Sequence, residues 1–88
     1  MTKKQKDTLV RELKNGMRVY EVAALLRLTV AEVRAAEKAD KEFARETKRA
    51  PMVFKRYLVR IVAQGGKEWQ AAAMILERRW PREWANAN

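Results

Sequence analysis

Basic side chains dominate the residues of this chain that could do chemistry. The 88 residues include 20 Lys and Arg against 11 Asp and Glu, which gives a formal net charge of +9, and there is neither His nor Cys. Imidazole bases, catalytic triads and thiolate or histidine metal sites are therefore excluded. The acidic residues are scattered singly, so we expect no catalytic residue, no metal site, no cofactor and no enzymatic activity. A cationic excess with a pI of about 10.4 is typical of proteins that bind nucleic acid.

Seven cations and one tyrosine are the candidates for contact with DNA. The tyrosine hydroxyl could donate a hydrogen bond to a phosphate, and the cations could neutralise phosphates, which gives salt-dependent affinity without sequence information. These residues are Lys3, Lys4, Lys6, Arg18, Tyr20, Arg27, Arg34 and Lys38. A second basic stretch could line a DNA-facing surface or pair with acidic residues at a subunit contact; it comprises Arg45, Lys48, Arg49, Lys55, Arg56 and Arg60.

Helices must position these side chains, because Ala, Glu, Lys, Arg and Leu are abundant and few stretches alternate apolar and polar residues. With 48% hydrophobic residues, the chain is too apolar for a disordered basic tail. We therefore predict an all-α fold. The predicted helices cover about residues 4–15, 19–27 and 30–39, a stretch that starts at Asp40, and residues 52–64 and 67–79.

Short motifs predict where these helices begin and end. Thr29-Val30-Ala31-Glu32 has the pattern of a capping box, and Gly16 and the pair Gly65-Gly66 are typical helix ends. Pro51 predicts a kink or a short break, because proline disfavours helix at the preceding residue. Leu25 and Val30 are expected to point inward with their apolar neighbours.

The order helix, Gly16, helix, short turn and capped helix is the layout of a helix-turn-helix module, whose second helix enters the major groove. Residues 16–29 resemble the start of the helix-turn-helix of phage terminase small subunits. The sequences Asp40-Lys41-Glu42-Phe43 and Gly66-Lys67-Glu68-Trp69-Gln70-Ala71-Ala72 continue the resemblance, and Leu76-Glu77-Arg78-Arg79-Trp80-Pro81-Arg82-Glu83-Trp84 completes it. The chain departs from the family pattern at Arg27, where the turn usually has Gly, and at Ala36, where Trp is frequent.

This resemblance implies binding of double-stranded viral DNA, assembly of the chain with itself into a ring, and recruitment of the terminase large subunit, which holds the ATPase and nuclease. The DNA face would be the third helix and its flanks. The tip of that helix is poor in Arg, Asn and Gln, so weak direct base readout is expected.

We predict three parts along the chain: a helix-turn-helix region over 1–50, an antiparallel helical hairpin for oligomerisation over 51–84, and a frayed tail over 85–88. The hairpin carries more large apolar residues than one small domain can cover. Tyr57, Ile61, Met74 and Ile75 are therefore predicted to form a subunit contact.

Other functional classes remain open on the sequence. A small helix-turn-helix regulator or excisionase acting as a dimer would share the DNA-binding module, and a helical adaptor would use its charge only for solubility. The longest apolar run has six residues, 71–76, far short of a membrane span, and no apolar region follows the basic start as in a signal peptide. We expect a soluble protein in the cytoplasm of an infected bacterial host.

Overall fold

The computed structural model describes residues 1–85, which are mostly helical and contain no strand, so the predicted all-α class is confirmed. Six helices follow one another: α1 (Lys3–Lys14), α2 (Val19–Leu25), α3 (Val30–Ala39), α4 (Lys41–Gln64), α5 (Trp69–Arg79) and α6 (Pro81–Trp84). The chain divides into two compact units, the first over Met1–Phe54 and the second from Lys55 onward. Of the predicted frayed tail, Ala85 is described and residues 86–88 lie outside the described residues.

The core of the first unit is built from one apolar stripe on each of its helices. Leu9 and Leu13 lie one turn apart on α1, and both are buried together with Val22 of α2, Val33 of α3 and Phe43 of α4. Residues three or four apart share one face of a helix, which is why these positions reach the same core. This core supports α2 and α3, the two helices of the predicted DNA-binding module.

Two inward predictions are wrong. Leu25 is 68% exposed and Val30 is 39% exposed. At 100° per residue, Leu25 lies about 110° from the centre of the stripe that Val22 and Ala23 define, so this short helix turns it to solvent. Val30 is the first residue of α3 and lies at the edge of its buried stripe.

Of the kink or short break predicted at Pro51, the break is wrong, because α4 continues through the proline as a single helix of 24 residues. Pro51 has no N–H to donate to the Thr47 carbonyl, a defect that costs about 3 kcal/mol. Ala50, immediately before it, is completely buried, and Phe43 before it and Leu58 after it are buried on the same helix. Burial of a few such side chains recovers free energy of this size, so packing overrides the local preference.

Gly16 ends α1 in a conformation that side chains rarely adopt. Its φ is +102°, and its amide donates to the Leu13 carbonyl at 3.2 Å while the Met17 amide donates to the Glu12 carbonyl at 3.1 Å. This pair of bonds is a Schellman cap. A Cβ at Gly16 would lie 2.7 Å from the Phe54 ring, so the position requires glycine for space as well as for backbone conformation.

The second unit contains the last turns of α4, followed by α5 and α6. Gly65, with φ +67°, ends α4 as predicted. Lys55 holds α6 to α4: its Nζ donates to both carboxylate oxygens of Glu83, at 2.8 and 2.7 Å, and lies 5.3 Å from the centroid of the Trp80 ring. Trp80 and Trp84 are half-buried, whereas Trp69 at the start of α5 is 42% exposed.

Candidate nucleic-acid interface

The turn between α2 and α3 is a second Schellman cap, with an arginine where glycine is usual. The Leu28 amide donates to the Ala23 carbonyl at 2.8 Å, and the Arg27 amide donates to the Ala24 carbonyl at 3.1 Å. Arg27 has φ +58°, the only positive value of a non-glycine residue among those described. A residue with a Cβ is disfavoured by about 1–2 kcal/mol in this conformation. The turn therefore presents an exposed guanidinium at an energetic cost to the backbone.

The start of α3 is fixed by the predicted capping box. The Glu32 amide donates to Thr29 Oγ1 at 3.0 Å, and the Thr29 amide donates to Glu32 Oε1 at 3.0 Å. Glu32 is thereby committed to the cap, and its carboxylate also balances the helix dipole at this end.

The solvent face of α3 carries small residues and cations. Ala31, Arg34, Ala35 and Lys38 are all exposed on the side of the helix opposite Val33. The alanines allow close approach of another surface, but they offer no hydrogen bond to a base edge. This composition favours contact with the phosphate backbone over direct reading of bases.

The predicted phosphate-contacting cations divide into paired and unpaired groups. Lys3 pairs with Asp7 at 3.3 Å on an exposed surface, and Arg34 Nη1 lies 2.7 Å from Glu37 Oε1. The Lys3–Asp7 pair is exposed, and exposed pairs are weak and exchange readily for other anions, whereas the Glu37 side chain is only 16% exposed. Lys6 is also paired and is described below. The other four cations of the set form no ion pair within residues 1–85; they are Lys4, Arg18, Arg27 and Lys38.

Lys6 serves the fold. Its Nζ donates to Asp40 Oδ2 at 2.9 Å and lies 5.6 Å from the centroid of the Phe43 ring. Asp40 Oδ1 in turn accepts from the Phe43 amide at 3.1 Å, which caps the start of α4 as predicted. Both hydrogen bonds hold the pKa of Asp40 below its usual value, and the one from Lys6 has the larger effect. Lys6 is therefore bound to the cap of α4, and its predicted contact with phosphate stays a prediction.

Tyr20 extends the exposed surface onto α2. Its side chain is 61% exposed, and Ala24, one turn further along the same helix face, is also exposed. Arg18 precedes the helix, and its amide donates to Glu21 Oε1 at 2.8 Å, which holds the first turn of α2. The phenol and the Arg18 side chain thus flank the start of the first helix of the module.

A groove between α3 and α4 was not expected from the sequence. It has a volume of about 630 Å³, and the residues that line it include Val19, Ala44 and Pro51 together with Arg34, Lys38 and Lys48. Three of these are apolar and three are cations. Sequence spacing places Lys48 on a basic helix face, but it does not place that face beside α3.

The second basic stretch is only partly free. Arg45 pairs with Glu42 at 2.6 Å, and Lys55 pairs with Glu83 at 2.7 Å, both within the chain. Lys48, Arg49 and the two arginines further along form no ion pair among the described residues, and all four are exposed.

The predicted subunit contact falls in the second unit, and three of its four residues are exposed. Tyr57 is 58% exposed, Met74 51% and Ile75 38%, whereas Ile61 is half-buried. On α5 the buried residues Ala72 and Leu76 define one face; Met74 lies on the opposite side of the helix, and Ile75 lies at the flank of the buried face. Two large apolar side chains of this helix therefore lie outside its buried face.

No His, Cys, Asp or Glu cluster among the described residues could hold a metal ion. None of the helices described is both long enough and apolar enough to cross a membrane. Comparison with protein-family models, curated proteins and solved structures finds no match.

Proposed function

We propose that the chain is a DNA-binding protein of the helix-turn-helix type that acts as the small subunit of a phage terminase. In this role it recognises viral DNA in the cytoplasm of the infected host and recruits the large ATPase and nuclease subunit. The supporting observation is the tight turn at Arg27, which joins α2 to the capped start of α3 and exposes a guanidinium beside it. The terminase setting rests on the sequence resemblance, which spans about residues 8–84.

The charges support phosphate binding in particular. The α3 face has no uncommitted carboxylate: Glu32 caps its own helix, and Glu37 accepts from Arg34 and from the Thr47 hydroxyl. Cations surround this face, and the net charge of +9 attracts a polyanion from a distance. We therefore expect binding with weak sequence preference.

Salt dependence tests the DNA-binding proposal. Fluorescence anisotropy with a labelled 20-base-pair duplex should give an affinity that falls linearly on a log–log plot, with a slope of about −0.9 per phosphate neutralised. Lys38→Ala should lower both the affinity and the slope without unfolding the protein, because this exposed residue is outside the core. Glu77→Ala is the control, since that exposed residue lies in the second unit. An affinity that is insensitive to salt contradicts the proposal.

The assembly part of the proposal is tested by mass. A terminase small subunit should form a ring, in which the contact is head-to-tail and buries two different surfaces. The exposed side chains of Tyr57, Met74 and Ile75 supply apolar surface for such a contact. Ile61→Asp should give smaller species that stay helical by circular dichroism and bind DNA weakly, because multivalency is lost. A wild-type monomer at tens of micromolar in light scattering rules out the ring, and a dimer favours a small helix-turn-helix regulator.

A further inference from the structure

The groove between α3 and α4 combines an apolar lining with cations from both helices. Val19, Ala44 and Pro51 are half-buried and contribute the apolar part. Lys38 comes from the last turn of α3, and Lys48 comes from the second turn after the buried Phe43 on α4. The groove therefore lies beside the α3 face already described and extends from it onto a different helix.

Two of the three cations of this groove have no acidic partner. Glu37 is the acidic residue of the lining, but one of its oxygens lies 2.7 Å from Arg34 Nη1 and the other accepts from the buried Thr47 hydroxyl. Lys38 and Lys48 are exposed and form no ion pair among the described residues. The groove thus offers two free ammonium groups and no free carboxylate.

A sugar–phosphate strand has the matching chemistry. Its phosphates supply the anionic partners that the two lysines lack within the chain. Its deoxyribose rings present apolar edges that Val19, Ala44 and Pro51 could contact. An acidic protein surface would also attract the lysines. The strand is favoured because the groove is continuous with the α3 face through Arg34 and Lys38, which belong to both surfaces.

We propose that the α3–α4 groove seats one sugar–phosphate strand of duplex DNA, with Lys38 and Lys48 contacting phosphates from its two sides. This inference rests on the proposed DNA-binding function and extends the contact surface to α4. It assigns to Lys48 a role in binding that the two helices of the helix-turn-helix do not by themselves provide.

The experiment compares two neighbouring cations of α4. Lys48→Ala removes a charge that lines the groove, and Arg49→Ala removes an equal charge from an exposed residue that is not part of the lining. Because each phosphate contact contributes a factor of salt concentration to the power of about −0.9, its loss at 0.1 M salt should weaken duplex binding about eightfold and reduce the slope by about 0.9. A charge removed without a contact is largely screened, so Arg49→Ala should change the affinity by less than about twofold.

An uncharged variant tests whether the groove itself is entered. Ala44→Met adds volume inside the lining and leaves the net charge unchanged, so it should weaken duplex binding with an unaltered helical signal in circular dichroism. Equal effects of Lys48→Ala and Arg49→Ala overturn the inference, as does wild-type affinity in Lys48→Ala, which is the result expected if an acidic protein occupies the groove. The inference is also overturned if Lys48→Ala weakens duplex binding while a folded Ala44→Met protein binds with wild-type affinity, because the strand would then not enter the groove. These results leave the proposed function standing, whereas a wild-type protein without salt-dependent duplex binding contradicts both.

Discussion

Replacing Arg27 by glycine should stabilise the protein and weaken its binding to DNA. At φ +58° an arginine is about 1–2 kcal/mol less favourable than in an ordinary conformation. Glycine removes this penalty but gains about 0.4–1 kcal/mol of unfolded-state entropy. The expected net stabilisation is about 0.5–1 kcal/mol, or roughly 3–6 °C in Tm for a domain of this size.

The affinity should move in the opposite direction. If the Arg27 guanidinium contacts a phosphate, its removal weakens duplex binding about eightfold at 0.1 M salt. Thermal melts followed by circular dichroism measure the first effect, and duplex anisotropy titrations measure the second. Arg27→Ala is the matched control, because it removes the guanidinium but keeps a Cβ in the left-handed conformation. It should lose affinity as the glycine variant does, without the gain in Tm.

Two results would refute this reasoning separately. A glycine variant that melts at the wild-type temperature would show that the turn places no strain on Arg27. Full DNA affinity in both variants would show that the guanidinium does not contact the duplex. Arg27→Lys retains the charge and the strain, and should therefore stay near wild type in both measurements.

Three further substitutions test the local structure. Thr29→Ala should destabilise by about 1 kcal/mol through loss of the α3 cap, and an unchanged urea midpoint would show that the cap contributes nothing. Gly16→Ala should cost more than Gly65→Ala, because both have positive φ but only the first brings a Cβ against Phe54, at 2.7 Å; equal losses of Tm would contradict the steric argument. Because the pKa of Asp40 is lowered in the folded protein, its stabilisation is complete above the usual carboxyl pKa of 3.8 and is lost as pH falls below it. The difference in Tm between the wild type and Asp40→Asn should therefore shrink as the pH falls from about 5 to about 2. A difference that stays constant over this pH range would contradict this.

Local signals in the sequence predicted the helix ends well. Thr29 with Glu32, Asp40 before α4, and Gly65 after it each mark a boundary found in the structure. These signals act over three or four residues, through hydrogen bonds to backbone amides or through backbone conformation. Neighbours along the chain therefore suffice to read them.

Features that depend on packing between helices could not be predicted from the sequence. Proline by itself disfavours a continuous helix, and only the burial of Ala50 and the apolar residues around it explains why α4 continues through Pro51. Likewise, Lys6 looked like any surface cation until α4 brought Asp40 within 2.9 Å. The groove beside Lys48 follows from the approach of two helices, which spacing within either helix does not encode.

The distribution of aromatic residues gives the two units different optical signals. All three tryptophans, Trp69, Trp80 and Trp84, lie after Lys55, so tryptophan fluorescence reports on the second unit alone. Circular dichroism at 222 nm reports on every helix. Because α4 supplies residues to both units without interruption, melting of the first unit should unravel helix that the second one uses. We therefore expect Thr29→Ala, a change far along the chain from any indole, to move the fluorescence transition together with the dichroism transition.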